Sequence, residues 1–297
     1  MLTTPGSGAI DLYAQAWLPE RNPRAIVVIA HGLAEHSGRY SELAGRLVGQ
    51  GYAAYALDHR GHGRSPGRRA NIERFSFLVT DFSTFAGRAA RQHPDAHVFL
   101  LGHSMGGAIA TASALRIQNH LRGLVLSGPA LAAGEIVSRS KRSILNMLSS
   151  ALPNMGALKL PADAVSRDPE VVRAYEQDPL VHHGSVPART VAELLQIIAT
   201  FPDEIRKLRL PILIQHGSAD SLVPLEGVRE VFKNSTARDR EMKIYEGLFH
   251  EIYNEPEKGT VIDDLLAWLD ARSSALGVRL SRAWVPDSTL RAPSVSR

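Results

Sequence analysis

None of the 297 residues is a cysteine. That absence removes disulfides, thiolate metal sites and a cysteine nucleophile together, while a zinc site built from histidine and carboxylate stays open. Nor does any run approach the ~18 consecutive apolar residues of a membrane span, and the first 20 residues lack the basic-then-apolar order of a secretory signal. A cytoplasmic protein is the expectation. A basic stripe is missing too: the formal charge is +4, and residues 272–297, with Arg272, Arg279, Arg282, Arg291 and Arg297 against Asp287, already account for it. The body is formally neutral, which argues against a nucleic-acid partner despite a pI of about 9.5. No internal repeat is present. With 44% hydrophobic residues the chain can bury a substantial core.

What is present centres on Leu100-Leu101-Gly102-His103-Ser104-Met105-Gly106-Gly107. An apolar run, His97 to Leu101, reads as a strand buried on both faces, and the Ala/Leu/Ile-rich stretch from Ala108 to Gln118 reads as a helix. Strand, sharp turn and helix around G-x-S-x-G is a nucleophile elbow, whose close backbone approaches need glycine beside Ser104. A glycine-rich turn holding a chance serine is the plainer alternative, and the flanking pattern disfavours it.

The elbow sits in an alternating frame. Strands are expected at 9–18, 25–30, 52–57, 97–101, 121–126, 212–216 and 242–246, and helices at 41–51, 75–93, 106–118 and 258–271. Such alternation predicts an α/β fold: a mostly parallel central sheet flanked by helices. It lapses for about eighty residues after Ser127-Gly128-Pro129, longer than an ordinary connection. The expected organisation is an α/β core of residues 1–129 and 209–272, an inserted helical cap at 130–208, and a basic, weakly patterned tail at 273–297 for which disorder is the default. Within the cap, Ile144 to Leu148 and Val191 to Ile198 have helical spacing between prolines, and Met147 and Met155 suit either ordinary core or an adaptable apolar surface for acyl chains.

A serine hydroxyl is a weak nucleophile until a histidine takes its proton and an acid orients that histidine. In this kind of fold the chain order is serine, acid, histidine, and His250 is the sole histidine after residue 220. Asp220, in the turn after the 212–216 strand, is the expected acid, since the strand after the elbow helix ends in Ser127-Gly128-Pro129 without a carboxylate. His216 is expected to fix the Asp220 loop. The oxyanion formed by Ser104 attack needs two donors; Met105 N–H and Leu33 N–H, the latter in the loop after the 25–30 strand, are the candidates. His31 is expected to fix that loop. Asp58 to Ser65 reads as a cross-linked structural loop, because it lacks phosphate-loop spacing and a following lysine. His182-His183 suits a surface or pocket rim, since neighbouring residues rarely face one metal. No metal site and no cofactor is expected.

Taken together, His31 to Tyr40, Asp58 to Ser65, Gly102 to Gly107, Asp178-Pro179-Leu180, His216 to Pro224 and Gly247 to Pro256 resemble the monoacylglycerol lipase family of α/β-hydrolases, particularly its bacterial members, over about residues 9–271. The resemblance implies Ser104, Asp220 and His250 as the triad, Leu33 and Met105 as the oxyanion hole, and a cap over an apolar acyl channel. It also implies head-group contacts at Glu35, Arg39 and Tyr175, and Ile144, Leu145 and Leu148 are expected along the channel. The tail departs from the family pattern, and the cap diverges too far to carry chain-length preference across.

The leading expectation is a serine carboxylester hydrolase that cleaves monoacylglycerols to glycerol and fatty acid through an acyl-serine, with transient contact to a lipid surface through the cap. Lysophospholipids, short-chain esters or peptides are the alternative substrates of the same triad. A non-catalytic ligand-binding protein on this fold is the third reading, and a dehalogenase fails because it needs a carboxylate where Ser104 stands.

Overall fold

A computed structural model describes residues 2–6, 10–132 and 149–273. Its centre is an eight-stranded sheet of β1 (Leu2–Pro5), β2 (Asp11–Trp17), β3 (Ala25–Ala30), β4 (Ala53–Leu57), β5 (His97–His103), β6 (Gly123–Ser127), β9 (Ile212–Gly217) and β10 (Arg240–Tyr245). Their spatial order is β1-β2-β4-β3-β5-β6-β9-β10, with the first two junctions antiparallel and the rest parallel.

The continuous apolar strands are explained by what lies on each face. Along β3, Ala25, Val27 and Ile29 pack with Leu43 and Leu47 of α1 (Ser41–Gly49) and with Val261, Leu265 and Leu269 of the last helix, Lys258–Ser273. Ile26, Val28 and Ala30 face the other way, into Phe82 and Ala86 of α2 (Phe75–Gln92) and Ile109 of α3 (Met105–Ile117). Both faces of β3 are therefore dry, and each fully buried Val or Ile contributes about 1.5–3 kcal/mol. An Ile29→Ala change would cost about 2–5 kcal/mol by leaving a cavity.

The structure adds to the sequence expectation a helix, Leu225–Lys233, between β9 and β10, and two features of the sheet. β1 joins the sheet through backbone pairing to β2, which a four-residue stretch ending in proline does not advertise. β5 runs two residues beyond Leu101, because Gly102 pairs with Ala30 and His103 with Ser127.

Between β6 and β9 the described chain adds no strand to the main sheet. It forms a two-stranded ribbon, β7 (Gly156–Leu158) with β8 (Val186–Pro187), and helices Pro169–Gln177, Ala188–Ile198 and Phe201–Glu204. Asp168 caps the first of these helices by accepting from Glu170 N–H at 2.9 Å, with Pro169 in the first turn. The Ala188–Ile198 helix is fastened to the core. Its Glu193 carboxylate accepts from Phe75 N–H at the start of α2, and the Thr190 hydroxyl accepts from Ile72 N–H and donates to Ala70 O. Of the two methionines singled out in this segment, Met155 is 40% exposed rather than core, and Met147 lies outside the described residues. So does the tail beyond Ser273.

Candidate active site

The chain leaves β3 towards β4 on one side and returns to β5 on the other, so the C-terminal ends of β3 and β5 open a crevice at the point where the winding reverses. Ser104 stands in it. Its backbone has φ 52° and ψ −121°, a region that costs a non-glycine residue energy and therefore needs enforcement. Ser104 N–H donates to Ser127 O at 3.0 Å, and Ser104 O accepts from Gly107 N–H at 2.8 Å and Ala130 N–H at 2.9 Å. A Cβ on Gly106 would collide with the Ala30 carbonyl, and one on Gly102 with the Gly106 carbonyl, so the elbow packs backbone against backbone.

His250, in the loop after β10, and Asp220, in the turn after β9, meet at the same end of the sheet. Asp220 Oδ2 lies 2.7 Å from His250 Nδ1, and its Oδ1 accepts from Leu222 and Val223 N–H, both at 2.9 Å. Burial works against the Asp220 carboxylate, yet His250 and His216 outweigh it and hold its pKa well below the carboxylate range. Burial also opposes charge on His250, but Asp220, with Glu251 and Glu35 behind it, raises that pKa above the ordinary imidazole value. His216 Nε2 lies 2.9 Å from Val223 O and 3.3 Å from Asp220 Oδ2, bracing the loop that carries the acid.

Ser104 and His250 share the lining of one cavity of about 280 Å³ with Leu33 and Met105, whose N–H groups are the expected oxyanion donors. Gly32 makes room there: a Cβ on it would sit 3.2 Å from Ser104 Cβ. The walls are mostly apolar, from Leu158, Val191, Leu194, Leu195 and Ile198.

The expected head-group residues behave unequally. Tyr175 and Glu35 line the cavity, but the Glu35 carboxylate already accepts from Gly32 N–H (2.5 Å), Tyr40 OH (2.8 Å) and Arg39 (3.1 Å). Arg39 is not in the cavity lining. Its guanidinium makes a two-pronged pair with Glu251 at 2.5 and 2.7 Å, under the Tyr175 ring at 4.8 Å. Ile144, Leu145 and Leu148 fall outside the described residues.

The loop Asp58–Ser65 has the geometry of a cross-linked structural element. Asp58 accepts from Ser37 N–H, Ser37 OH and Arg64 N–H, and Ser65 OH donates to Asp58 O. His31 Nε2 accepts from His59 N–H at 2.9 Å, leaving Nδ1–H to donate to Gly32 O at 2.8 Å. His182 and His183 border a shallow recess with Lys159 and Glu176. Among the described residues no group of three His, Cys, Asp or Glu could hold a metal ion.

Sequence reasoning passes over Glu251 and His103. His103, just before the serine, is buried with Nδ1 3.0 Å from Ser127 O and its ring 4.6 Å from that of His250; burial first, then His250, lower its pKa to about 4. Adjacency to Ser104 and His250 is the available signal, but neighbours in sequence need not point into a site.

Residues 21–257 match the family described as Serine aminopeptidase, S33. The monoacylglycerol lipase of Mycolicibacterium smegmatis is 43% identical over 89% of this chain and 94% of its own length. The monoglyceride lipase of Rattus norvegicus is 33% identical over 90% and 89%. Among solved structures, that of the Paleococcus ferrophilus monoacylglycerol lipase superposes with a TM-score of 0.77 at 30% identity, covering 88% of this chain and 99% of that one.

Proposed function

Because the chain belongs to the monoacylglycerol lipase family of α/β-hydrolases, we propose that it is a serine carboxylester hydrolase that splits monoacylglycerols into glycerol and fatty acid, with Ser104, His250 and Asp220 as its triad. The observation that carries the assignment is the convergence of a serine held at φ 52° and the His250–Asp220 pair on one apolar cavity.

Asp220 accepts a hydrogen bond from His250 Nδ1–H, which leaves the Nε2 lone pair for the Ser104 hydroxyl. Ser104 Oγ attacks the ester carbonyl carbon as His250 takes its proton, and the resulting oxyanion is held by Leu33 and Met105 N–H. Collapse breaks the bond to glycerol, whose oxygen receives the proton from His250. Water, deprotonated by the same imidazole, then attacks the acyl-serine, and fatty acid leaves as Ser104 regains its proton.

Residues 130–208 act as a cap in this reading, with Leu158, Val191, Leu194 and Leu195 along the acyl chain and Tyr175 and the Glu35 edge near the glycerol end. A cavity of about 280 Å³ is at the small end of ligand pockets, which favours one acyl chain over three. Leu152, Met155 and Leu158, all at least 40% exposed beside Lys159, support contact between the cap and a lipid surface. No described helix is long and apolar enough to cross a membrane.

The test is Ser104→Ala assayed on a panel of mono-, di- and triacylglycerols. Turnover should fall by at least ~10³-fold, and the wild-type protein should favour the single-chain substrates. Comparable turnover by the variant refutes the nucleophile, and equal efficiency on triacylglycerols refutes the substrate class.

A further inference from the structure

Between the loop that carries Leu33 and the loop that carries His250 lies a buried three-charge cluster that takes no part in the proton transfers of the proposed reaction. Glu35, Arg39 and Glu251 have side chains only 5%, 10% and 6% exposed. Arg39 reaches Glu35 at 3.1 Å on its own turn, and with both prongs it reaches Glu251, 212 residues away and next in chain to His250. Glu35 in turn accepts from Gly32 N–H, one residue before the proposed Leu33 donor. One face of the guanidinium is covered by Tyr175 from the segment between β6 and β9, and Glu251 N–H donates to Val165 O of the same segment.

We propose that Arg39 is a positioning residue that couples the oxyanion loop to the His250 loop and supplies the counter-charge for two carboxylates standing behind the catalytic imidazole. This rests on the reading of His250 as the general base. The geometry opposes a direct head-group role, because Arg39 Nη1 and Nη2 already meet carboxylates and the guanidinium is stacked on Tyr175.

The electrostatic consequence follows from counting what faces His250. Asp220 is at 2.7 Å on Nδ1, backed by His216; the His103 ring lies at 4.6 Å; Glu251 and Glu35 stand behind, paired with Arg39, which stays charged throughout the working range. Burial alone would push Glu251 to protonate, but Arg39 outweighs burial and lowers its pKa to about 2, so the carboxylate stays charged. Without Arg39 the salt-bridged loops lose their register, and whichever of the two carboxylates stays ionised stands uncompensated behind His250 and favours its imidazolium form over the base it must be.

The experiment compares Arg39→Met and Arg39→Lys with wild type in kcat, KM and the pH profile of kcat/KM on a soluble monoester, with thermal melts to establish the folded fraction. In Arg39→Met, kcat should fall about 10-fold or more with KM within about 2-fold, and the acid limb should move up by about one pH unit. Arg39→Lys should recover part of both effects, and adding Glu251→Gln to Arg39→Met should return the limb towards wild type. A rise in KM alone with the limb unmoved would overturn the proposal in favour of substrate contact. A loss that merely tracks the folded fraction, with the limb unmoved, would overturn it in favour of a structural role. Failure of the underlying triad would show separately, as hydrolysis that survives Ser104→Ala.

Discussion

Lowering the pH from 7 to 5 should cost this protein a large part of its stability, for a reason written in its buried histidines. His31, His62 and His103 are buried, and that burial, the largest influence on each, depresses their pKa values from 6.5 to about 4, about 3 and about 4. His59, packed 4.3 Å from His31, is shifted the same way and has both ring nitrogens without a hydrogen-bond partner. The folded values lie below the unfolded one. Between pH 6.5 and about 4 the unfolded chain therefore binds protons that the folded chain refuses, and stability present above pH 6.5 is lost as the pH falls. From pH 7 to 5 each of the three contributes a loss of about 1.5–2 kcal/mol, about 5 kcal/mol together, against a typical total of about 5–15 kcal/mol. His250 acts in the opposite sense because its folded pKa is raised, and Asp220 titrates too low to matter in this window. Urea unfolding followed by tryptophan fluorescence at the two pH values measures the difference. In His62→Asn, whose amide can keep the hydrogen bond that Nδ1 makes with Arg60 O, the difference should shrink by about 1.5–2 kcal/mol. Equal stability at pH 7 and 5, or an undiminished difference in His62→Asn, would refute the reasoning.

Asp220→Asn should lower kcat by about 10³–10⁴-fold by removing the acceptor that fixes the His250 tautomer, whereas His216→Asn should cost less than about 10-fold; reversed magnitudes would exchange their roles. Gly106→Ala should abolish folding or cost about 3 kcal/mol or more, because its methyl group meets the Ala30 carbonyl; circular dichroism and melting measure this. Leu195→Trp should shift kcat/KM towards shorter acyl chains without changing the acid limb, and an unchanged chain-length profile would remove Leu195 from the channel wall. Deleting residues 274–297 should leave hydrolysis of a soluble ester within about 2-fold, since the eight-stranded sheet is complete before them.

Local physics makes the elbow legible in the sequence alone. Strand and helix patterns meet at Ser104, and glycine is required wherever backbone touches backbone, as Gly102 and Gly106 do. The parallel sheet is readable for a similar reason: strands dry on both faces, such as Ala25–Ala30, are apolar throughout. His250 and Asp220 can be nominated by chain order, because one histidine follows residue 220 and one turn after a strand carries the acid. Their 2.7 Å approach belongs to the packing of β9 beside β10. Arg39 shows where sequence stops. Its neighbourhood resembles that of a head-group ligand, and the partner that its guanidinium meets is a carboxylate 212 residues away, brought beside it by the fold. The same holds for His36 with Asp178 and for the walls supplied by Leu158 and Val191. Backbone conformation and burial periodicity are set by residues a few positions apart and leave a local signature. Which buried charges meet is set by how sheet, loops and inserted helices pack, and no spacing along the chain encodes that meeting.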